Sequence, residues 1–297
     1  MLRQHLIQKT EKILERNDYD FCEFDGCFDI AARSSEMLLI KVLVNVDSFS
    51  AEQSQGIATI SESVNANPLL IGIQTRHESL KNDILYERFG VPALTPETLE
   101  NMLFTDSLPS VLSRRGGLFE KINAEKLKEA RESKGLTQEK LAEKIGITKK
   151  NIYEHEKNEM FASYDTIKKI EKILGNLSEP LKFNDFKQEE KKALPKTSFE
   201  KTVMSDMKKL GFSVSIVKKA RFNMIGRERL MIFSDAEEDK KAASKNAPYI
   251  KGFAELAGKK ALAITKSRAE MDIPSLEEKE LRKMKNAREL IRVVKKW

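Results

Sequence analysis

Residues 136–157 read LTQEKLAEKIGITKKNIYEHEK, and this stretch decides how the chain is organised. Thr137 and Gln138 open a short helix with Leu141 and Ala142 on its inner face. Ala142 is small, as a position crossed closely by a second helix requires. Gly146 supplies the positive φ that a tight turn needs. Ile147 plugs the core, Thr148 caps the second helix, and Ile152 and His155 point inward from it. Lys149, Lys150, Asn151 and Tyr153 are left facing outward. This spacing predicts a helix-turn-helix, whose second helix fits the major groove of double-stranded DNA.

Working outward, the pattern stays helical over 123–177. It predicts helices over 124–134, 138–145, 149–155 and 165–174, separated by Gly135, Gly146, the Asn158 region and Gly175. Turns this short imply a compact all-α bundle. Residues 181–197 lose periodicity, gain charge and read as a linker.

The bundle resembles the Cro/repressor-type helix-turn-helix family over about residues 125–178. The match is carried by Leu127, Arg131, Gly135, Leu136, Thr137, Gln138, Leu141, Ala142, Ile145, Gly146, Ile152 and Glu156. His155 departs from the pattern, standing where the family places an aromatic residue. The resemblance implies a structural ion pair between Arg131 and Glu156. It also implies DNA contacts: Thr137 and Gln138 at a helix end facing phosphate, and Lys149, Lys150 and Tyr153 in the groove. Asn151 would read adenine or turn toward the backbone, Lys157 would meet phosphate, and Thr148 would set the start of the reading helix. On a longer scale the chain is similar to a family of archaeal HTH-type transcriptional regulators. YERFGVPALTPETL (86–99) and GLTQEKLAEKIGITKKNIYEHEKN (135–158) are the recognisable stretches. A DNA-binding regulator is what that implies, with little implied about a ligand or targets; a homodimer is expected because one such bundle grips only a half-site and operators mirror protein symmetry.

The flanks read as two small α/β modules, over 1–122 and 198–297, around a helix-turn-helix domain over 123–180. In the first, residues 2–17 form an amphipathic helix, and Asp25-Gly26 divides two apolar runs as a hairpin would. Residues 37–46 read as a central strand. Ser50 with Gln53 makes a capping box for a helix that Asn67-Pro68 should stop. Thr95-Pro96 starts another helix, and VLSRRGGLFEKI (111–122) reads as a strand pair with Arg114 and Arg115 at its tip. In the second module, helix 199–211 leads into FSVSIVKK and RERLMIFSD as strands, with FNMIG extending the first. A helix follows with a break at Pro248, then the strand KKALAIT and a charged terminal helix.

The two modules share an order of elements. FDIAAR (28–33) stands in one where FNMIGR (222–227) stands in the other, which points to an internal repeat. The first module also resembles the restriction-endonuclease-like fold and its PD-(D/E)xK pattern. Asp29 and Lys41 fit that pattern, but its acid position holds Leu39. Asn223 takes the place of the aspartate in the second module. The resemblance therefore implies the fold without the metal-dependent chemistry.

Charge separates the modules. Residues 1–120 carry a net −7, 121–186 a net +2 and 187–297 a net +12. A basic last third suits a polyanion, and a solvated lysine-rich surface is its bland counterpart. Cys22 and Cys27, spaced C-x4-C without a second pair, read as buried thiols in a reducing compartment rather than as zinc ligands. No run of 18 apolar residues spans a membrane, and MLRQHLIQKTEKI has neither the apolar core nor the cleavage site of a secretory signal. No metal, cofactor or catalytic residue is expected. The expectation is a cytoplasmic DNA-binding transcription regulator, with a nuclease- or resolvase-like enzyme and a protein-docking adaptor as the alternatives.

Overall fold

The structure is a computed structural model and describes residues 2–157, 161–188 and 193–296. The chain is mixed α/β, with two sheets and a helix-turn-helix region at mid-chain.

The first part runs α1 (Leu2–Arg16), β1 (Asp20–Glu23), β2 (Ile30–Arg33), β3 (Met37–Val42), α2 (Ala51–Val64), β4 (Ala66–Ile71), β5 (Ile84–Arg88), β6 (Val91–Leu94), α3 (Pro96–Thr105), β7 (Val111–Arg114) and β8 (Gly117–Ile122). Local chemistry sets the helix starts. The Ser50 hydroxyl accepts from Gln53 N while the Gln53 side chain returns to Ser50 N, and Thr95 caps α3 ahead of Pro96. All six residues of β3 are buried, because helices cover both of its faces. Leu6, Ile13 and Leu14 of α1 pack with Leu99 and Met102 of α3 on one side, while Ile57 and Ile60 of α2 fill the other.

The middle runs α4 (Ala124–Ser133), α5 (Gln138–Ile145), α6 (Lys149–Lys157), β9 (Phe161–Ser163), α7 (Tyr164–Leu174) and β10 (Ser178–Glu179). It is not purely helical: β9 and β10 both pair antiparallel with β8. The first sheet therefore extends, in the order β1-β2-β3-β4-β6-β5-β7-β8-β10, under the helices, and Ile122 of β8 belongs to their core.

The last part runs α8 (Ser198–Lys209), β11 (Ser213–Ile216), β12 (Met224–Arg227), β13 (Met231–Ala236), α9 (Lys240–Ala257), β14 (Lys260–Thr265), β15 (Ser275–Glu277), α10 (Glu278–Lys283) and α11 (Ala287–Lys295). The order β11-β12-β13-β14-β15 repeats β1-β2-β3-β4-β6, with antiparallel pairs first and parallel pairs after. The registers agree too. Arg33 lies opposite Met37 and Ile30 opposite Ile40; Arg227 lies opposite Met231 and Met224 opposite Ser234. Across these two strands of each half the separation between equivalents is 194 residues (227 minus 33). The structure thus carries the repeat that the matching hexapeptides suggested.

The two halves are packed into each other. Phe24 and Phe28 stack with centroids 4.2 Å apart, Phe222 and Phe233 with centroids 4.9 Å apart, and Phe253 of α9 meets all four rings. All five are fully buried in one core drawn from both halves. Gly56 marks the closeness of this approach, since a Cβ there would stand 2.2 Å from the Lys218 carbonyl oxygen.

Several expectations need correction. Asn67-Pro68 does not end α2; Asn65 in the left-handed conformation does, and Asn67 and Pro68 lie inside β4. β6 joins β4 only from Leu70 onward, so Pro68 has a strand neighbour on the β3 side alone, where a missing N–H is tolerated. FNMIG does not extend the preceding strand but contains most of β12. Pro248 does not break α9, which is continuous around it; the residue sits on the exposed side of the helix. The end of the chain is β15 and two helices, not one. Finally, the described part of the linker is not loose chain: Leu181 and Phe186 are buried against the core of the first half. Residues 189–192 of that expected linker, and Asn158 of the expected bundle turn, lie outside the described residues.

Candidate nucleic-acid interface

Each helix of the middle region begins on a side-chain cap. Asn123 accepts from Lys126 N, Thr137 from Lys140 N, Thr148 from Asn151 N and Ser163 from Thr166 N. α5 ends at Gly146 with φ +75°, which turns the chain sharply into α6. Leu127, Leu141, Ala142, Ile145 and Ile152 close the core between these helices. That burial fixes which side of α6 is left outside.

Lys149, Lys150, Asn151, Tyr153 and Lys157 are exposed on α6, as are Thr137 and Thr148 at the helix starts. Among the described residues neither Lys149 nor Lys150 has a carboxylate partner. Thr148 Oγ1 donates to Asn151 Oδ1 at 3.0 Å, leaving the Asn151 amide N–H groups toward solvent. The Lys157 ammonium lies 5.7 Å from the centre of the Tyr153 ring.

Beneath this face Arg131 of α4 meets Glu156 of α6. Nε to Oε1 is 2.5 Å and Nη2 to Oε2 is 3.0 Å, a two-pronged pair with both side chains under 10% exposed. The Glu156 hydrogen bond holds the guanidinium above its usual pKa. Arg131 also donates to the Leu136 carbonyl. Gln138 is half-buried and donates from Nε2 to Glu156 Oε2 at 2.7 Å, so its side chain is turned into this strut. The role of Gln138 in joining α5 to α6 was not legible in spacing alone. His155 packs at the core edge, and burial lowers its pKa.

The Arg114 side chain at the β7–β8 tip is anchored. It pairs with Glu87 at 3.2 Å and lies 4.5 Å from the centre of the Phe161 ring, while Arg115 is exposed.

The residues of the PD-(D/E)xK pattern are also brought together. Asp29 and Lys41 are both buried, with Lys41 Nζ 2.9 Å from Asp29 Oδ1. The remaining capacity of that carboxylate is occupied, by Arg3 of α1 at 2.7 Å and by Val42 N at 2.8 Å. Lys41 also donates to the Gly26 carbonyl. Leu39 is fully buried in the shared core. A divalent cation needs several free oxygen ligands, and this donor set offers one carboxylate that already carries two cationic partners. In the second half the register puts Asn223 and Asp235 at the same two positions. Asn223 makes a reciprocal pair with the Ala236 backbone and donates to Glu200, and Asp235 accepts from Asn246. No local pattern in the sequence marks Asp235, but the 194-residue separation points straight to it from Lys41. Among the described residues no group of three or more His, Cys, Asp or Glu is placed to hold a metal ion.

Cys27 is buried and Cys22 half-buried, and burial pushes both thiols up to about 12. No helix among the described residues is long and apolar enough to cross a membrane.

Comparison with known proteins matches these two sites to two domain families. Residues 3–109 match a PD-(D/E)XK superfamily domain and residues 124–182 a helix-turn-helix domain. Full-length relatives carry the name "putative HTH-type transcriptional regulatory protein". One from Thermococcus kodakarensis is 33% identical, spanning 100% of this chain and 96% of its own. One from Pyrococcus horikoshii is 32% identical over 99% and 98%, and one from Methanocaldococcus jannaschii 31% over 99% and 97%. With a helix-turn-helix at mid-chain, a PD-(D/E)XK-type domain before it and relatives aligned end to end, the chain belongs to this archaeal family of HTH-type transcriptional regulatory proteins.

Proposed function

We propose that the chain is a sequence-specific, double-stranded-DNA-binding transcription regulator that reads the major groove with α6. The observation that carries this reading is the exposed face of Lys149, Lys150, Asn151 and Tyr153, held over the Arg131–Glu156 strut. Lysine donors suit guanine O6 and N7, and the free asparagine amide suits adenine. Thr137, Gln138 and Lys157 flank that face, where the α5 amide end and a lysine suit phosphate; Thr148 orients Asn151. One such bundle grips only a half-site, so the working form in this reading is a homodimer on a two-fold operator.

In the same reading residues 123–180 are the reader and 1–122 and 198–297 its scaffold, joined through 181–197. The scaffold performs no hydrolysis: the carboxylate of Asp29 is occupied by Arg3 and Lys41, and an apolar residue fills the second acid position. Selection of bound duplexes from a random pool tests the function. A recovered two-fold motif, bound at least tenfold less well by the Lys149→Ala/Lys150→Ala variant, is expected. Binding that is indifferent to sequence and to that pair would sink it.

A further inference from the structure

α11, far along the chain from the helix-turn-helix, is buried on one side and basic on the other. Ala287, Leu290 and Val294 recur at three- and four-residue spacing and are buried in the core of the second half. On the exposed side Arg288, Arg292 and Lys295 recur at spacings of four and three, and Lys285 lies in the chain just ahead of the Asn286 cap. All four are exposed, and none has a carboxylate partner among the described residues. The one acid of the helix, Glu289, is turned back onto Lys285 N and the Asn286 side chain. Like charges one helical turn apart repel and weaken the helix that carries them, so the stripe works against folding of the free chain.

We infer that this stripe is a second DNA contact, a rail for the phosphate backbone beside the sequence read by α6. It rests on the DNA-binding reading above. Three cations along roughly 10 Å of helix axis, at 1.5 Å per residue, with Lys285 ahead of them, face a polyanion with a charge about every 1.7 Å. A membrane surface fits less well, because Leu290 and Val294 are already buried and no apolar face is left to insert. The net charge of +12 over residues 187–297 favours the same kind of partner.

The test is the salt dependence of binding by the full chain to its selected duplex, followed by fluorescence anisotropy. A Lys285→Gln/Arg288→Gln/Arg292→Gln/Lys295→Gln variant leaves the buried face of α11 intact. Each phosphate contact contributes about 0.9 to the slope of log affinity against log salt, so losing four flattens it by about 3.6. Between 50 and 200 mM salt that is a difference of roughly 150-fold in affinity lost. The base preference should not change. A control neutralising Lys240, Lys241, Lys245 and Lys251 of α9 should flatten the slope far less. An unchanged slope in the stripe variant overturns the inference, as does an equal effect from the control, which would reduce the stripe to net charge. If the stripe variant keeps its slope but changes assembly mass in sedimentation, the stripe docks protein and the inference is likewise wrong. Absence of DNA binding by the unaltered chain would instead defeat the functional reading beneath it.

Discussion

Arg33 and Arg227 occupy the same place in the two halves, and each reaches across to the helix of the other. Arg33 Nη1 donates to the Leu256 carbonyl at the end of α9, at 2.9 Å. Arg227 Nη2 donates to the Ser63 carbonyl at the end of α2, at 3.4 Å. The chain therefore contains an internal pseudo-dimer, in which each half supplies a cation to the negative end of its counterpart's helix. Both arginines are exposed, so the exchange positions the halves more than it stabilises them.

The aromatic core between the halves makes their folding a single event. Phe253→Ala removes a ring that meets both pairs of phenylalanines and should cost about 3–5 kcal/mol. Denaturant unfolding followed by probes placed in each half should shift together. Separate transitions, with only the second half affected, would contradict a shared core.

Replacing Glu156 by Ala strands the buried Arg131 guanidinium and should cost about 3–5 kcal/mol. Pairing that change with Arg131→Met should recover part of the loss, because the orphaned charge is then gone. A double-mutant cycle on the thermal midpoint measures the coupling. Additive losses would mean that the pair contributes little as a unit.

Asp235 gives the chain a pH dependence of definite sign. Burial, opposed by a hydrogen bond from Asn246 and aided by repulsion from Glu237 and Glu200, pushes its pKa up to about 7 from the ordinary 3.8 of an aspartate. The folded state therefore holds a proton that the unfolded chain has already released. Stability falls as pH rises from about 4 to about 7 and then levels off, by up to about 4 kcal/mol from this one group. Asp235→Asn should flatten the fall in thermal midpoint between pH 5 and pH 8. An undiminished fall would place the effect elsewhere.

Asp29 is expected to serve structure and not hydrolysis. Incubation of the chain with supercoiled DNA and Mg²⁺ or Mn²⁺ should leave the DNA uncut. Asp29→Asn should lower the thermal midpoint, since Lys41 and Arg3 lose their shared anion, while leaving duplex affinity unchanged. Metal-dependent nicking abolished by that change would reverse this assignment.

Much of the architecture could be read from residues whose chemistry is local. Thr95-Pro96, Ser50 with Gln53, and Gly146 each state a helix boundary by themselves, and the spacing of Leu141, Ala142 and Ile152 orients α5 and α6. What escaped reading depends on neighbours distant in sequence. Pro68 looks like a stop until β3 is seen as its only flanking strand at that point. Pro248 looks like a break until its exposure is known. Leu181 and Phe186 look like linker because the surface they cover lies far away in the chain. The position of Gln138 at the start of α5 points to phosphate, yet its amide is drawn toward Glu156, which only the fold brings within reach. The bundle reads as wholly helical because β9 and β10 are too short to leave a pattern and take their form from β8.

That last dependence has a practical consequence for cutting the protein into parts. β8 is the final strand of a hairpin, the floor of the helical core through Ile122, and the common partner of β9 and β10. A fragment starting at Ala124 would remove that floor and leave two strands with unsatisfied edges. A fragment that keeps the hairpin from Val111 onward carries its own support. Excision at the family boundary and excision at the hairpin are therefore different experiments, and only the second isolates a reader with its base intact.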